Sequence, residues 1–153
     1  MTTVTTAKLA DIPQLCALLD ILFSQEADFQ PDQVKQSTAL HEIIARPEMG
    51  CILVLRDGNT ISGMVNLLYT ISTACGGKVA ILEDMIVHPL QRNNGFGSQL
   101  LQAAIAHAER EGCLRITLLT DRSNDFAQRF YRRHGFSSSE MIPLRLSMER
   151  PRR

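Results

Sequence analysis

The chain has 153 residues, no formal net charge, 44% hydrophobic residues and 21% charged residues. This length is typical of one domain with a sizeable core, and the composition is not that of an intrinsically disordered chain. The apolar runs fall far short of the roughly 20 residues that cross a bilayer, and no basic start precedes an apolar stretch at the first residues. We therefore expect a single domain over residues 1–153, located in the cytoplasm, with no membrane partner.

The balanced net charge conceals an uneven distribution along the chain. Residues 1–90 hold 5 Lys and Arg against 10 Asp and Glu, whereas residues 91–153 hold 11 Arg against 6 Asp and Glu. This split indicates an anionic ligand on one side and a cationic ligand on the other, although solvated surfaces would produce the same split. The basic tail at 150–153 has no interleaved aromatic residues, so we expect no nucleic-acid partner.

The first half of the chain predicts a strand, two helices and a hairpin. Leucines at three- and four-residue spacing indicate an amphipathic first helix, and Asp57-Gly58-Asn59 is a strong hairpin-turn sequence. In chain order, we predict a strand at 3–8, a helix that begins at 11–13, a helix at 32–45, and strands at 51–56 and 60–72.

The second half predicts alternating strands and helices. In chain order, we predict a strand at 78–88, a glycine loop at 91–97, a helix that ends near 111, a strand at 114–120, a helix at 124–134 and a last strand at 142–148. The complete order is β-α-α-β-β-β-α-β-α-β. It predicts an α/β fold with a largely antiparallel front and at least one β-α-β crossover.

The segment between the third helix and the strand before it has the composition of a phosphate-binding loop. Glycines let the backbone approach a ligand closely, and the free N–H groups of a helix start carry partial positive charge. A P-loop would require Gly-Lys-Ser/Thr, and a dinucleotide fingerprint would require a third glycine where Leu100 stands. Both are therefore excluded, and a glycine pair alone is equally compatible with a structural turn.

The loop sequence Arg92-Asn93-Asn94-Gly95-Phe96-Gly97 matches the Gln/Arg-x-x-Gly-x-Gly signature of the GNAT-type N-acetyltransferases, and the chain resembles that family. Residues 124–136 match its second signature, Asn-x-x-Ala-x-x-Phe-Tyr-x-x-x-Gly-Phe, and residues 82–89 resemble its fourth strand. The resemblance implies a GNAT-type α/β fold. Its mixed, mostly antiparallel sheet would be splayed between the fourth and fifth strands and flanked by about four helices.

The resemblance further implies that acetyl-CoA is the co-substrate, without a metal ion. Its pyrophosphate would lie on the glycine loop, and its pantetheine arm would pair with the backbone of the fourth strand. The residues that the resemblance assigns to acetyl-CoA are Met85, Ile86, Val87, Arg92, Asn93, Asn94, Gly95, Phe96, Gly97, Ser98 and Asn124.

Three residues are candidates for proton transfer. A free amine has a pKa of about 10, so the acceptor must lose a proton before it attacks the thioester. Glu83 and Asp84 are adjacent in an otherwise apolar strand, and strand alternation predicts that they face opposite sides of the sheet. Glu83, Asp84 or a water chain would act as the base. Glu83 is the first candidate for the base unless a bulge in the strand reverses the order of the two residues. The alternative is that one or both carboxylates only make structural hydrogen bonds. The resemblance makes Tyr131 an acid near the cofactor sulfur, with simple packing as its alternative.

The connection between the first two helices contains the candidate acceptor-binding residues. Glu26 and Asp28 would attract a cationic amine and Phe29 would pack against its carbon skeleton, unless the connection is an ordinary polar loop. The implied reaction transfers an acetyl group to a primary amine of a small cationic molecule, by direct attack in a ternary complex. A peptide or protein amine and a non-catalytic acyl-CoA sensor are the alternatives. The resemblance also makes a homodimer plausible.

Overall fold

Five strands form one sheet in the order β1-β2-β3-β4-β5, and helices cover both of its faces. The computed structural model describes residues 1–149, so the expectation for the basic tail at 150–153 lies outside the described residues. The elements are β1 (Thr3–Thr6), α1 (Ile12–Gln25), α2 (Gln33–Ala45), β2 (Gly50–Asp57), β3 (Thr60–Ser72), β4 (Gly77–Val87), α3 (Phe96–Arg110), β5 (Ile116–Leu118) and α4 (Asp125–Arg133).

The direction of the strands confirms the predicted fold class. Strands β1 to β4 pair antiparallel with their neighbours, whereas β5 pairs parallel to β4 after the α3 crossover. The β4–β5 ladder covers only Ala80 to Leu82 on β4. Because β4 continues to Val87 while β5 ends at Leu118, the two strands part and leave a cleft beyond the ladder.

The core forms two layers because side chains alternate across the central strands. On β2, Ile52 and Val54 pack against α1 and α2, whereas Leu53 and Leu55 belong to the opposite layer, which contains α3. Both layers contain fully buried side chains, such as Leu15 in one and Leu100 in the other. The α1–α2 layer forms one wall of the site described below.

The predicted last strand at 142–148 is wrong. Within the described residues this segment has no sheet partner, and its main chain makes no backbone–backbone hydrogen bond. Its apolar side chains do alternate with polar ones, which is why the pattern predicts a strand. They are nonetheless 68% to 90% exposed. The alternation is present, but no second strand of residues 1–149 lies beside it.

Candidate active site

The part of β4 beyond Leu82 offers an unpaired edge to the cleft. Glu83, Ile86 and Val87 pair with β3 on one side, and among residues 1–149 no strand pairs with this part of β4 on the other. Free backbone N–H and C=O groups at such an edge can bind an extended amide-containing chain. The Nε atom of Arg92 donates a hydrogen bond to the Val87 carbonyl at 3.1 Å, which ties the start of the glycine loop to the end of this strand.

The glycine loop has the backbone that its sequence predicts. Gly95 stands at the N-cap of α3 with φ of 75°, in the left-handed region, and Asn93 has φ of 69°. A side chain in that region costs about 1–2 kcal/mol, so the conformation itself favours glycine at position 95. Gly97 differs, because a Cβ there would meet the Phe130 ring at an ordinary 3.5 Å. The N–H groups of the first turn of α3 have no partner within the helix and can bind an anion.

A β-bulge in β4 controls where the two adjacent carboxylates point. Ile86 pairs with Met64 and Glu83 pairs with Asn66, so β4 has one residue more than β3 in between. The extra residue breaks the strand alternation, and Asp84 has φ of 53° at this position.

As a result, both carboxylates lie on the α1–α2 side of the sheet. The Asn66 Nδ2 atom donates to Asp84 Oδ2 at 3.4 Å, and Asn66 is also the cross-strand partner of Glu83. The expectation that Glu83 and Asp84 face opposite sides is therefore wrong, because it assumed a regular strand. Glu83 is exposed, whereas Asp84 is partly enclosed.

Glu26, which follows α1, completes an acidic cluster with these residues. Burial and, with smaller effects in this order, the negative charges of Asp84, Asp121, Glu83 and Asp28 together raise the pKa of Glu26 to about 7. Burial and the charge of Glu83 raise the pKa of Asp84 to about 6, against the lowering effect of the Asn66 hydrogen bond. Two carboxyl groups that titrate near neutral pH can hold or accept a proton there.

Tyr131, on α4, lies close enough to Glu26 to be affected by its charge. Its ring packs edge-on against Phe130 at 5.3 Å and Phe136 at 5.7 Å, and its hydroxyl makes no hydrogen bond within the described residues. Burial, with a smaller effect of the Glu26 charge, raises its pKa to about 12. The phenol therefore stays protonated at neutral pH and remains a hydrogen-bond donor.

The other predicted site residues take different positions. The Asn124 side chain accepts a hydrogen bond from Ala127 N at 3.0 Å, so it acts as the N-cap of α4. The Asp28 carboxylate accepts from Arg145 at 3.0 Å, and the same guanidinium lies 5.5 Å from the centre of the Phe29 ring. Glu26 thus joins the carboxylates of β4, while Asp28 and Phe29 contact the 141–149 segment.

Sequence reasoning missed two residues of the site. Asn66 is 2% exposed in β3, and its Oδ1 atom is buried without a hydrogen-bond partner within the described residues. The sequence feature that could have identified Asn66 is a single amide side chain within an otherwise apolar run of strand β3. Asp121 follows β5, and its Oδ2 atom accepts from Ala27 N at 3.4 Å, so it links the end of β5 to the α1–α2 connection. The sequence feature that could have identified Asp121 is a carboxylate directly after the predicted strand that borders the cleft.

Two further properties bear on the kind of site. Among residues 1–149, no helix is long and apolar enough to cross a membrane. The same residues contain no group of three or more His, Cys, Asp or Glu arranged to hold a metal ion.

Comparison with known proteins agrees with this geometry. Residues 15–136 match the family model described as "Acetyltransferase (GNAT) family". The uncharacterized N-acetyltransferase YhfO of Bacillus subtilis is 28% identical over 75% of this chain and 78% of its own length. The aminoalkylphosphonate N-acetyltransferase of Salmonella typhimurium is 28% identical over 84% and 80%. The crystal structure of a predicted acetyltransferase with acetyl-CoA, from Clostridium acetobutylicum, shares the fold with a TM-score of 0.77 at 17% identity, covering 95% of this chain and 96% of that one.

Proposed function

The chain belongs to the Acetyltransferase (GNAT) family, and from that premise we propose that it acetylates a primary amine of a small cationic molecule, with Asp84 as the base. Membership makes it an acetyl-CoA-dependent acyltransferase, whose relatives are N-acetyltransferases. The identity of the acceptor and the roles of individual residues are the proposal. The observation that carries it is the bulge at the open end of β4, where Asp84 accepts a hydrogen bond from Asn66 and its charge contributes to the raised pKa of Glu26.

The co-substrate fits the unpaired edge and the loop. Its diphosphate would bind the N–H groups at the start of α3, where Gly95 shapes the backbone, and its pantetheine amides would pair with the free edge of Met85 to Val87. Bound acetyl-CoA supplies the thioester that the amine attacks. Bound in this way, acetyl-CoA would bring its thioester to the part of the cleft where we propose that Asp84 and Tyr131 act.

Asp84 suits the role of base better than Glu83. A base works best when its pKa lies near the working pH, and the pKa of Asp84 is raised to about 6. The side chain is partly enclosed and held by Asn66, whereas that of Glu83 is exposed. Asp84 would accept the amine proton directly or through one water. The Tyr131 hydroxyl would donate a hydrogen bond to the sulfur as the C–S bond breaks.

The acceptor class follows from charge. Several carboxylates approach Glu26 closely enough to raise its pKa, and a cation among them would relieve their repulsion. A second ammonium group on the acceptor could stay charged and bind Glu26 and Asp121 while the reacting amine lies near Asp84. We therefore favour a diamine or an amino compound with a second cationic group.

Two variants distinguish the base. Asp84→Asn should lower kcat by roughly 10² at neutral pH, with a smaller loss at higher pH, where more amine is already neutral. Glu83→Gln is the matched control on the same strand and should lower kcat by less than about tenfold. Steady-state rates from pH 6 to 9 measure both. A larger loss of kcat in Glu83→Gln than in Asp84→Asn would show that Glu83 is the base. Equal activity of the wild type and both variants would show that water alone removes the amine proton.

An acceptor panel tests the function itself. Acetyl-CoA is incubated with diamines, monoamines of equal length, amino acids and a lysine peptide, and release of free thiol is followed. We expect the highest kcat/KM for diamines, and Glu26→Gln should reduce that preference over monoamines. Preference for the peptide would overturn the small-molecule proposal. Tight acetyl-CoA binding without thiol release from any amine would support a sensor instead.

We place the reaction in the cytoplasm. The four cysteines are all free thiols. Free thiols fit a reducing compartment, where structural disulfides are rare. Fractionation of the native host would test this location.

A further inference from the structure

A positive side chain of the protein itself lies against two residues that the sequence proposes for the cation of the acceptor. The Arg145 Nη1 atom donates to Asp28 Oδ2 at 3.0 Å, and the guanidinium carbon lies 5.5 Å from the centre of the Phe29 ring. A carboxylate beside an aromatic face is a combination that binds alkylammonium and guanidinium groups, through an ion pair and a cation–π contact. Asp28 and Phe29, called here the cation-binding pair, thus have a geometry suited to a cation, and Arg145 occupies it.

The cation-binding pair is attached to the acidic side of the cleft. Its aromatic ring packs against Phe23 of α1, with the ring centres 5.6 Å apart. The N–H of Ala27, directly before the pair, donates to Asp121 Oδ2 at 3.4 Å and so joins this connection to the chain that follows β5. The carboxylate of the pair is close enough to Glu26 for its charge to contribute to the raised pKa of that residue. The pair is therefore continuous with Glu26 and Asp121, to which we assign the second ammonium group of the acceptor.

Arg145 belongs to a segment, residues 141–149, that few polar contacts hold. Within the described residues, the main chain of this segment makes no backbone–backbone hydrogen bond. Two ion pairs are its only long-range polar contacts among residues 1–149: Arg145 to Asp28, and Glu149 to Lys35 at 3.1 Å. The side chains of Arg145 and Asp28 are 56% and 65% exposed, and exposed ion pairs contribute little stability. A cation of a ligand can therefore compete with Arg145 for the same two groups.

We propose that Arg145 is a specificity-determining residue, which occupies the cation-binding pair and thereby limits the acceptor to two cationic groups. An acceptor with a third ammonium group would have to place it beside the guanidinium, where like charges repel, or displace Arg145 from Asp28. A short diamine would need only the two inner positions, near Asp84 and near Glu26. The inference rests on the proposed acceptor class, because it states where along the cleft that acceptor ends.

Two amines that differ by one cationic unit test the proposal. Trimethylenediamine has two amino groups, and dipropylenetriamine continues the same three-carbon spacing to a third. Arg145→Gln should raise the ratio of kcat/KM for the triamine to that for the diamine by roughly five- to tenfold, the effect expected of an exposed ion pair together with a cation–π contact. Lys35→Gln is the matched control, since it removes the same charge and releases the other ion pair of the segment, and it should keep the wild-type ratio.

Binding of the same triamine gives a readout that does not require turnover. Each protein is saturated with coenzyme A, which has no acetyl group to transfer, and calorimetric titration measures the Kd of dipropylenetriamine. Arg145→Gln should tighten this Kd by roughly five- to tenfold, and Lys35→Gln should leave it unchanged. Asp28→Asn combined with Arg145→Gln should remove the gain, because the third ammonium group would then lack its carboxylate. Thermal unfolding checks that each variant is folded.

Any of three results would overturn the proposal. The first is an unchanged Kd of the triamine in Arg145→Gln. The second is an equal gain in Lys35→Gln, since release of the segment, and not of the cation-binding pair, would then be the cause. The third is a gain that persists in the Asp28→Asn/Arg145→Gln variant. Failure of the proposed function gives a different pattern, in which no amine releases thiol from acetyl-CoA with any variant while Arg145→Gln still binds the triamine more tightly.

Discussion

Two glycines in the loop before α3 should respond in opposite ways to the same substitution. Gly95 has φ of 75°, and a Cβ at this position would have no atom within 4 Å, so Gly95→Ala is penalised by backbone conformation alone. That penalty of about 1–2 kcal/mol should lower Tm by roughly 2–8 °C in a domain of this size. Gly97 lies inside α3, where alanine is favoured over glycine by about 0.5–1 kcal/mol. Gly97→Ala should therefore raise Tm by roughly 1–4 °C.

A larger side chain at the second glycine tests the phosphate-binding role. A Cβ on Gly97 would lie 3.5 Å from the Phe130 ring, so one carbon fits there while the branches of valine must extend toward the space above the helix start. We expect Gly97→Val to weaken acetyl-CoA binding by about tenfold or more, which corresponds to about 1.4 kcal/mol. Gly97→Ala should retain most of the affinity.

Calorimetric titration with acetyl-CoA and thermal unfolding of the free proteins measure both effects. Equal acetyl-CoA affinity in wild type and Gly97→Val would refute the assignment of the diphosphate to this loop. A Gly95→Ala variant as stable as the wild type would refute the conformational argument, irrespective of binding. The two measurements are independent, since one concerns the bound ligand and the other the free chain.

Two further predictions concern the acidic side of the cleft. Tyr131→Phe removes only a hydroxyl that has no hydrogen-bond partner in the described chain. Tm and acetyl-CoA affinity should therefore stay unchanged, while kcat should fall by roughly 10-fold to 10³-fold. Full activity of the variant would show that Tyr131 is a packing residue. In the folded state the pKa of Glu26 is about 7 and that of Asp84 is about 6, above their usual values of 4.5 and 3.8. The folded protein therefore binds protons more tightly at these groups than the unfolded chain does. The stability that they contribute is present at low pH and is lost as the pH rises toward 7. Thermal unfolding from pH 4.5 to 7.5 should show this decline, and Glu26→Gln should make it shallower; a decline of unchanged slope in that variant would contradict the cause assigned to it.

Local rules were sufficient to predict most of the fold. The hairpin turn at 57–59, the apolar spacing in α1 and α3, and the glycine loop each depend on neighbours within a few positions, and each was confirmed. The GNAT-type resemblance then supplied the splay between β4 and β5, which the short ladder at Ala80 to Leu82 confirms. Strand or helix identity at these places follows from backbone and side-chain preferences that the sequence itself contains.

The errors arose where the outcome depends on a distant partner. A bulge is decided by the register between β3 and β4, so the turn of Asp84 toward Asn66 could not be deduced from the Glu83-Asp84 pair alone. The alternating pattern at 142–148 is that of a strand, but a strand also needs an edge beside it.

The physical costs of the free site are concentrated at one place. Asp84 adopts a left-handed backbone conformation, the Oδ1 atom of Asn66 is buried without a partner among the described residues, and Glu26 is crowded by other carboxylates. Each feature opposes stability by itself, and a regular strand with an apolar residue at position 66 would avoid two of them. A chain under selection for stability alone has no reason to keep all three within one cleft. They are compatible with one another if the cleft binds a cation, because a positive charge offsets the repulsion around Glu26 and the bulge points the carboxylate of Asp84 toward it. The same features that weaken the empty cleft therefore support the proposal that its acceptor is an amine with a second, cationic group.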